Sequence, residues 1–448
     1  MKIQNSRGLI LTFAVILCFG ALLKAQTVLK NDSILSGQEK EVVVAYSSQP
    51  SWQVTGAISS VGGNELQSSF TSDFTGRLYG RIPGLSVVAV GAEPGYEYTS
   101  LYGRGRNTFG VGGTGMLILI DGMEADLATL VPEEIESVSY LKDASATAMY
   151  GSQGANGVLL VTTKRGTEGK LKVVFSVQQG FQSATRLPKF LDSYDYARLY
   201  NEALVNDGKP ELYTSADLAA YKDGSDPYFH PNVDWYKEVM RDAAPITNYN
   251  LNFSGGNKTV RYFVMLNHIK NNSLYQKTGD ESEFSINGNY QRLNFRSNVD
   301  VIFNKRLSAI ITVGGTVIDK ANPAASTTDE IFTQMAQLPP NAFPVFNPNR
   351  TLSRNSVFSN PVGDILNKGF YTSNGRTLST TVGLTEQLDM ITKGLSISSR
   401  ISFNSYFLSQ SNKTRTYESF AISEAGTGEI IYTKYGLDTP LSGNEGTS

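Results

Sequence analysis

Long stretches in the second half of the chain alternate between apolar and polar residues. In LKVVFSVQQGF, Leu171, Val173, Phe175 and Val177 share one face, and in TNYNLNFSG asparagines alternate with Tyr249 and two further apolar residues. A repeat of two residues is that of a β-strand with one apolar face. The pattern predicts seven strands, in LKVVFSVQQGF, TNYNLNFSG and TVRYFVMLNHI and at residues 294–303, 307–317, 378–388 and 395–407.

The polar faces of these strands are dominated by Asn, Ser, Thr and Gln rather than by charged residues. A soluble sandwich turns its apolar face inward, whereas a membrane barrel turns that face to lipid and keeps uncharged polar residues toward a wet lumen. The runs reach about 9 to 11 residues, the length that crosses a bilayer at a tilt. Tight connections also alternate with long ones, as in outer-membrane barrels. Residues 170–448 are therefore predicted to form a barrel wall with long extracellular loops.

Residues 51–169 carry shorter, mixed signals typical of a compact α/β domain. GMLILIDGM predicts a buried strand that ends at an Asp-Gly turn. In VPEEIESVSYLKDASATAMYG, Pro132 predicts the start of a helix, with Glu133 and Glu134 solvated in its first turn. A strand follows at residues 138–141, and Asp143 is a candidate N-cap of a second, small-residue helix.

The segment YGSQGANGVLLVTTKRG combines small residues with a short apolar run. Gly151 and Gly154 are expected to adopt positive φ, because glycine does so without a steric penalty. The chain would then reverse into a strand over residues 158–163. The signature residues of this turn are Tyr150, Gly151, Gly154, Asn156 and Gly157.

The N-terminus has the pattern of a secretory signal peptide. Lys2 and Arg7 precede an uncharged run at residues 9–23, and a small residue follows at Ala25. The run is shorter than the roughly 20 apolar residues of a membrane-spanning helix. Cys18 could instead be lipidated, but the bulky residue before it disfavours this. We expect residues 1–25 to be a signal and residues 26–50 to form an N-terminal extension.

Composition and charge exclude several classes of function. Charged residues make up 18% of the chain, the net charge is −2 and the two signs are mixed, which argues against nucleic-acid binding. His230 and His268 are the two histidines, and they lie far apart without a metal-binding spacing. Nucleophile-elbow and phosphate-loop motifs are also absent from the sequence. We therefore predict no catalytic site, no metal and no cofactor.

Several linked motifs resemble the SusC/RagA family of TonB-linked outer-membrane transporters. GRIPGLSVV, PEEIESVSYLKDASATAMYG and YGSQGANGVLLVTTKRG follow the order of the family's plug domain, and LNFRSNVDVIFNKRL, PPNAFPVFNP and KGLSISSRISF resemble its barrel. The resemblance implies an N-terminal α/β plug inside a membrane β-barrel. The protein would lie in the outer membrane of a Gram-negative bacterium of the Bacteroidota type.

The resemblance also implies a mechanism and partners. KEVVVAYSS resembles the TonB box, a segment that adds as a strand to a partner's sheet; its residues are Glu41, Val42, Val43, Val44, Ala45 and Tyr46. An ordinary first strand of the plug is the other interpretation. The implied partners are a TonB-type energy-transducing protein and a SusD-like surface lipoprotein. The implied substrate is a large nutrient, an oligosaccharide or a peptide, and candidate plug-loop contacts to it are Tyr96, Tyr98, Tyr102 and Arg104.

Length departs from the family pattern. Seven strands account for only part of a plugged barrel of about 22 strands, so we expect a C-terminally incomplete transporter. Two other functions remain open at this point. A siderophore or cobalamin receptor would share the plug and the barrel, and a secreted β-rich adhesin or binding protein would share the alternating strands.

Overall fold

The computed structural model describes residues 41–44, 47–68, 71–89, 91, 95, 99–105, 115–276, 288–324, 328–426 and 428–448. The predicted signal peptide, Ala45, Tyr46, Tyr96 and Tyr98 lie outside the described residues. The contacts divide the chain into two units, residues 1–43 with 47–55, and residues 44–46 with 56–448.

The first unit contains a small two-stranded sheet. Strand β1 (Glu41–Val44) pairs with strand β2 (Ser47–Pro50), and a 3₁₀ turn follows at Ser51–Gln53. Val42 is buried, whereas Trp52 is exposed. Four residues of the predicted TonB box therefore adopt the extended conformation that strand addition requires.

The N-terminal domain, residues 56–166, is built on a five-stranded mixed sheet. The strands of this domain are β3 (Ile58–Gly62), β4 (Leu85–Ala89), β5 (Thr99–Gly103), β6 (Leu117–Ile120), β7 (Met123–Glu124), β8 (Ile135–Leu141) and β9 (Val158–Thr163), with β4 and β5 forming a separate hairpin. The order in the sheet is β3–β8–β9–β6–β7, and only β6 and β9 run parallel. Its helices are α1 (Gly63–Leu66) and α2 (Ala144–Thr147), with 3₁₀ turns at Thr75–Leu78, Leu127–Thr129, Pro132–Glu134 and Ala148–Gly154.

Buried apolar side chains on one face of this sheet form the core of the domain. Leu66, Leu78, Ile135 and Tyr140 are each almost fully buried within it. The predicted Asp-Gly turn is confirmed: Asp121 and Gly122 both have positive φ and connect β6 to β7, as a two-residue hairpin of this type requires. The predicted helix at Pro132 is a single 3₁₀ turn.

The glycine-rich turn before β9 agrees with the sequence in part. Gly151 has φ of 58°, as expected, but Gly154 does not have positive φ, and that expectation was wrong. Gly154 is instead needed for space, because a Cβ there would lie 3.0 Å from Thr147. Gly157 is the second left-handed residue, with φ of 91°, and its missing side chain leaves room for the Tyr140 ring.

The C-terminal half forms one large antiparallel sheet of eight strands, with all neighbours adjacent in the chain except the last pair. The strands are β10 (Gly169–Gln182), β11 (Ala244–Gly256), β12 (Val260–Asn272), β13 (Asn289–Ile302), β14 (Leu307–Pro323), β15 (Gly369–Gln387), β16 (Ser396–Thr414) and β19 (Ser442–Thr447), with a separate hairpin of β17 (Ser419–Glu424) and β18 (Ile430–Tyr435). The seven predicted strands are confirmed, and they are longer than predicted. Within the described residues, β10 and β19 are the unjoined edges of the sheet.

The polarity of the large sheet is reversed relative to that of a soluble protein. On the inner face Asn250 is 2% exposed and Asn298 is 1% exposed. On the outer face Ile401 is 75% exposed and Phe403 is 63% exposed. Such a sheet suits lipid outside and a polar interior, so the predicted assignment of the two faces is confirmed.

Short turns lie at one end of the large sheet and long connections at the other. Asn257 and Asn304 each accept two backbone N–H bonds in short turns, which is how asparagine stabilises a tight reversal. The long connections contain α3 (Ser193–Asn206), α4 (Ser215–Asp223), α5 (Trp235–Val239), α6 (Thr328–Gln337) and α7 (Pro361–Asn367). None of the helices in the described part of the chain is both long and apolar enough to cross a bilayer.

Three of the long connections share one apolar core, which we call the loop core. It is formed by Trp235, Tyr236, Val239, Met240, Tyr275, Ile331, Met335, Leu338, Phe343, Val362 and Ile365. The Trp235 indole N–H also donates to the Pro339 carbonyl at 3.3 Å. The segment around Trp235 is therefore held in the loop core, and α6 packs there through Ile331 and Met335.

Gly157→Ala should loosen the N-terminal domain. The substitution places a methyl group 2.7 Å from the Tyr140 ring at a left-handed backbone position, at a cost of about 2 kcal/mol. Hydrogen exchange of the β8 and β9 amides measures the loss. Gly62→Ala is the matched control, because Gly62 has extended backbone and open space around it. Equal losses in both variants would contradict the assignment.

Candidate functional site at the interface between the N-terminal domain and the large sheet

A buried ion pair joins the N-terminal domain to the inner face of the large sheet. Glu134 bonds to Arg296 of β13, and their side chains are 2% and 9% exposed. The Val131 N–H donates to the other Glu134 oxygen at 2.7 Å. Burial raises the pKa of Glu134, and the charge of Arg296 opposes that shift. The arginine is thus the partner that allows a carboxylate to sit at this depth.

The prediction that Glu133 and Glu134 are solvated was wrong. Glu133 is 6% exposed, and its Oε1 accepts from the Asn248 amide at 3.2 Å. Asn248 in turn accepts from Asn267 at 2.7 Å. Local sequence showed only a proline followed by two acidic residues, whereas the partners lie more than one hundred residues away. The buried asparagine face of the sheet therefore continues into the carboxylates of the N-terminal domain.

A second polar cluster lies where β9 meets β13. Thr163 donates its hydroxyl to Asp121 at 2.6 Å and accepts from Asn298 at 2.9 Å. Asn298 also donates to the Lys164 carbonyl at 2.7 Å. Two residues further along β13, Asp300 pairs with Arg165 at 2.5 Å. One strand of the sheet thus bonds to the domain repeatedly along its length.

Further polar contacts extend the interface on both sides of these clusters. Asn294 donates to the Thr129 carbonyl at 2.6 Å, and Arg400 of β16 donates to the Asp121 carbonyl at 2.7 Å. Burial lowers the pKa of Lys164, whose ammonium donates to the Glu133 carbonyl at 2.8 Å. The contacts therefore reach from β11 to β16 across the sheet.

The apolar part of the interface is small by comparison. Val131 packs against Phe263 and Met265 in a separate three-residue cluster. Polar groups that separate into water regain hydrogen bonds, so their net contribution per bond is about 1 kcal/mol. An apolar surface of the same area would lose its burial outright. The interface is therefore specific in geometry yet separable.

The other predicted site residues fall in three places. Glu41, Val42, Val43 and Val44 form β1. Tyr102 lies on β5 opposite Ser86, and Arg104 follows with φ of 55° and an exposed side chain. The turn signature forms one local structure with Gly115, whose carbonyl accepts from Asn156 at 3.3 Å. The structure assigns no substrate or partner to any of them.

Arg296 and Asp300 were not predicted as site residues. Both belong to LNFRSNVDVIF, which was correctly assigned as a strand. The available signal was charge at inward-facing positions of a strand that also places Asn294 and Asn298 on its inner face. A buried charge on a barrel strand needs a partner, and that partner had to come from the N-terminal domain.

Comparisons with known proteins agree with this architecture. A family model described as TonB-dependent Receptor Plug Domain matches residues 50–158. The TonB-dependent receptor SusC of Bacteroides thetaiotaomicron is 28% identical over 67% of this chain. The fold is similar to the solved RagAB peptide importer in its open-open state, with a TM-score of 0.66 and 19% identity over 84% of this chain. Residues 50–158 are thus the plug domain of a TonB-dependent receptor, and the chain is similar to the SusC/RagA family of these receptors.

Another curated relative gives the same result. TonB-dependent receptor P26 of Formosa agariphila is 29% identical over 73% of this chain. The chain spans 31% of P26, 30% of SusC and 43% of the RagAB chain, and thus less than half the length of each. These curated relatives are named as receptors and not as enzymes, in line with the prediction of no catalytic site. The N-terminal domain is the family's plug.

Arg296→Met should weaken the seating of the plug, because it leaves the Glu134 carboxylate buried without its partner. We expect the free energy of unfolding of the N-terminal domain to fall by about 3 to 5 kcal/mol. Urea unfolding of this domain, monitored by hydrogen exchange, measures the change. The double variant Glu134→Gln/Arg296→Met should recover most of that stability. Asp207→Asn breaks an exposed pair with Lys209 and serves as the control. A double variant as unstable as Arg296→Met would refute the pairing.

Proposed function

We propose that the protein imports a large nutrient, an oligosaccharide, across the outer membrane of a Gram-negative bacterium of the Bacteroidota type. A TonB-type protein supplies the energy, and a SusD-like lipoprotein binds at the outer surface. The observation that carries the proposal is the reversed sheet with a polar plug against its inner face. An apolar outer face suits lipid, and a polar interface suits a plug that shifts to open a path.

The family assignment favours import over the secreted adhesin, because an adhesin needs neither the reversed sheet nor the plug. Transport of this kind requires no bond-making chemistry by the receptor. It requires a segment that a periplasmic partner can hold and a plug that yields when that segment is pulled. Strand β1 suits the first requirement, since β-branched residues in extended conformation can pair with the edge of another sheet.

The substrate class rests on the chemistry of two plug residues, Tyr102 on strand β5, where a loop position was expected, and Arg104 just after that strand. Tyr102 offers an aromatic ring and Arg104 an exposed guanidinium, a pairing that suits the apolar faces and hydroxyl groups of a sugar. Peptide import is the second candidate, and the likeness to the RagAB peptide importer favours it. Both candidates are large, polar oligomers, so both suit the polar inner face of the wall.

Val43→Pro should abolish binding of the TonB-type partner. Proline removes a backbone N–H that strand addition uses, while leaving the rest of the chain unchanged. Val43→Ala keeps the N–H and is the matched control, with binding expected within about threefold of the parent. Binding of the isolated TonB C-terminal domain, measured by calorimetry, is the readout. Equal binding by both variants would place the TonB box elsewhere.

At substrate concentrations below saturation, Tyr102→Ala should lower oligosaccharide uptake by about 3- to 10-fold. This is the effect expected from the loss of one aromatic contact. Tyr249→Ala is the control, because Tyr249 lies on the outer face of β11 and is 45% exposed there. Uptake of labelled oligosaccharides and of labelled peptides is compared in cells. Unchanged oligosaccharide uptake with reduced peptide uptake would favour the second candidate.

A further inference from the structure

One histidine in the long β10–β11 connection is held between two carboxylates. His230 Nδ1 lies 2.8 Å from Asp226 Oδ2, and Nε2 lies 3.0 Å from Asp217 Oδ1. The imidazole is half-buried, and its ring meets Tyr221 edge-on with centroids 5.1 Å apart. Neither the import mechanism nor the loop core uses this group.

The geometry favours the protonated form of the ring. A neutral imidazole carries one N–H and one acceptor nitrogen, so it can donate to only one of the two carboxylates. The other nitrogen would then face a carboxylate oxygen lone pair to lone pair. Only the imidazolium donates to both Asp217 and Asp226, and it also neutralises part of their charge.

Both carboxylates already have structural roles that hold them in place. Asp217 accepts from the backbone N–H and the hydroxyl of Thr214, the N-cap of α4, at 2.7 and 2.8 Å. Asp226 Oδ1 accepts from the Phe229 N–H at 3.1 Å. Neither can turn away to follow a change in His230 without losing its own bonds.

His230 therefore connects the start of α4 to the turn that follows that helix. The next residue, Pro231, accepts from the hydroxyl of Ser193 at 2.8 Å, and Asn232 accepts from the Ser193 N–H at 3.1 Å. Trp235, in the loop core, follows three residues later. The bridge thus lies where the α3–α4 pair is attached to the segment that anchors the outer loops.

We propose that His230 makes the β10–β11 connection sensitive to pH. The charged ring holds α3 and α4 against residues 226–232, and loss of the ring proton loosens this attachment. This response does not depend on the identity of the substrate. Of the two histidines in the 448 residues, His230 alone lies in the β10–β11 connection. The conformational response would therefore arise in that connection.

The direction of the response follows from the groups around the ring. Burial acts to lower the pKa of His230, but the hydrogen bonds that its ring donates to Asp217 and Asp226 more than offset it, and the pKa is raised. Burial raises the pKa of Tyr221 to about 12, so this third facing group stays neutral. A raised pKa gives a contribution that is complete below about 6.5 and is lost as the pH rises through the folded-state value.

Hydrogen exchange of the whole chain between pH 6 and 8.5 tests the proposal. After correction for intrinsic exchange, protection of the α3 and α4 amides should fall by about 3- to 10-fold across this range. His230→Gln, which keeps one donor and cannot be charged, should show low protection at every pH. Strand β13 supplies internal reference amides that should not respond.

His268→Gln is the matched control, since His268 lies on the wall and stacks on Tyr249. It should retain the full pH response of the parent. A proton NMR titration of the unmodified chain gives a measurement that does not depend on a variant folding, and His230 should titrate above 6.5. Protection that is flat with pH in the parent, or a response removed by His268→Gln, would overturn the proposal.

Discussion

The polar contact between the plug and the inner face of the wall is the constraint on which the rest of the structure depends. Glu134 and Arg296 are both buried, and neither would be tolerated there alone. The pair therefore fixes the register of β13 relative to the 3₁₀ turn at Pro132–Glu134. With that register set, Thr163 meets Asn298 and Arg165 meets Asp300 without further adjustment.

The same constraint explains why the large sheet is reversed. Buried asparagines need hydrogen-bond partners, and here Asn248 bonds to Asn267 and to Glu133 of the plug, while the Asn298 amide bonds to Thr163 of the plug. The outer face carries apolar residues such as Ile401 and Phe403. A soluble protein rarely exposes so large an apolar surface to water. A single alternation of residues thus serves two different surroundings at once.

Sequence reasoning succeeded where a rule is local. Period-two patterning located the seven long strands, and an apolar run after a glycine turn located β9. It failed where the deciding contact is distant: Glu133 and Glu134 were expected in water, and Gly154 was expected in the left-handed region that Gly157 occupies. Strand β19, SGNEGT, has little intrinsic β-propensity, and its pairing with β16 gave no signal in the sequence.

The loop core limits how the long connections can change in sequence. Trp235, Tyr275 and Ile331 come from three separate connections, yet each fills space left by the others. An insertion or deletion in one connection would therefore disturb its neighbours, whereas a substitution at a side chain that projects away from this core would not. Differences in ligand specificity among such receptors should therefore accumulate at those projecting positions, while the residues of the loop core change together or not at all.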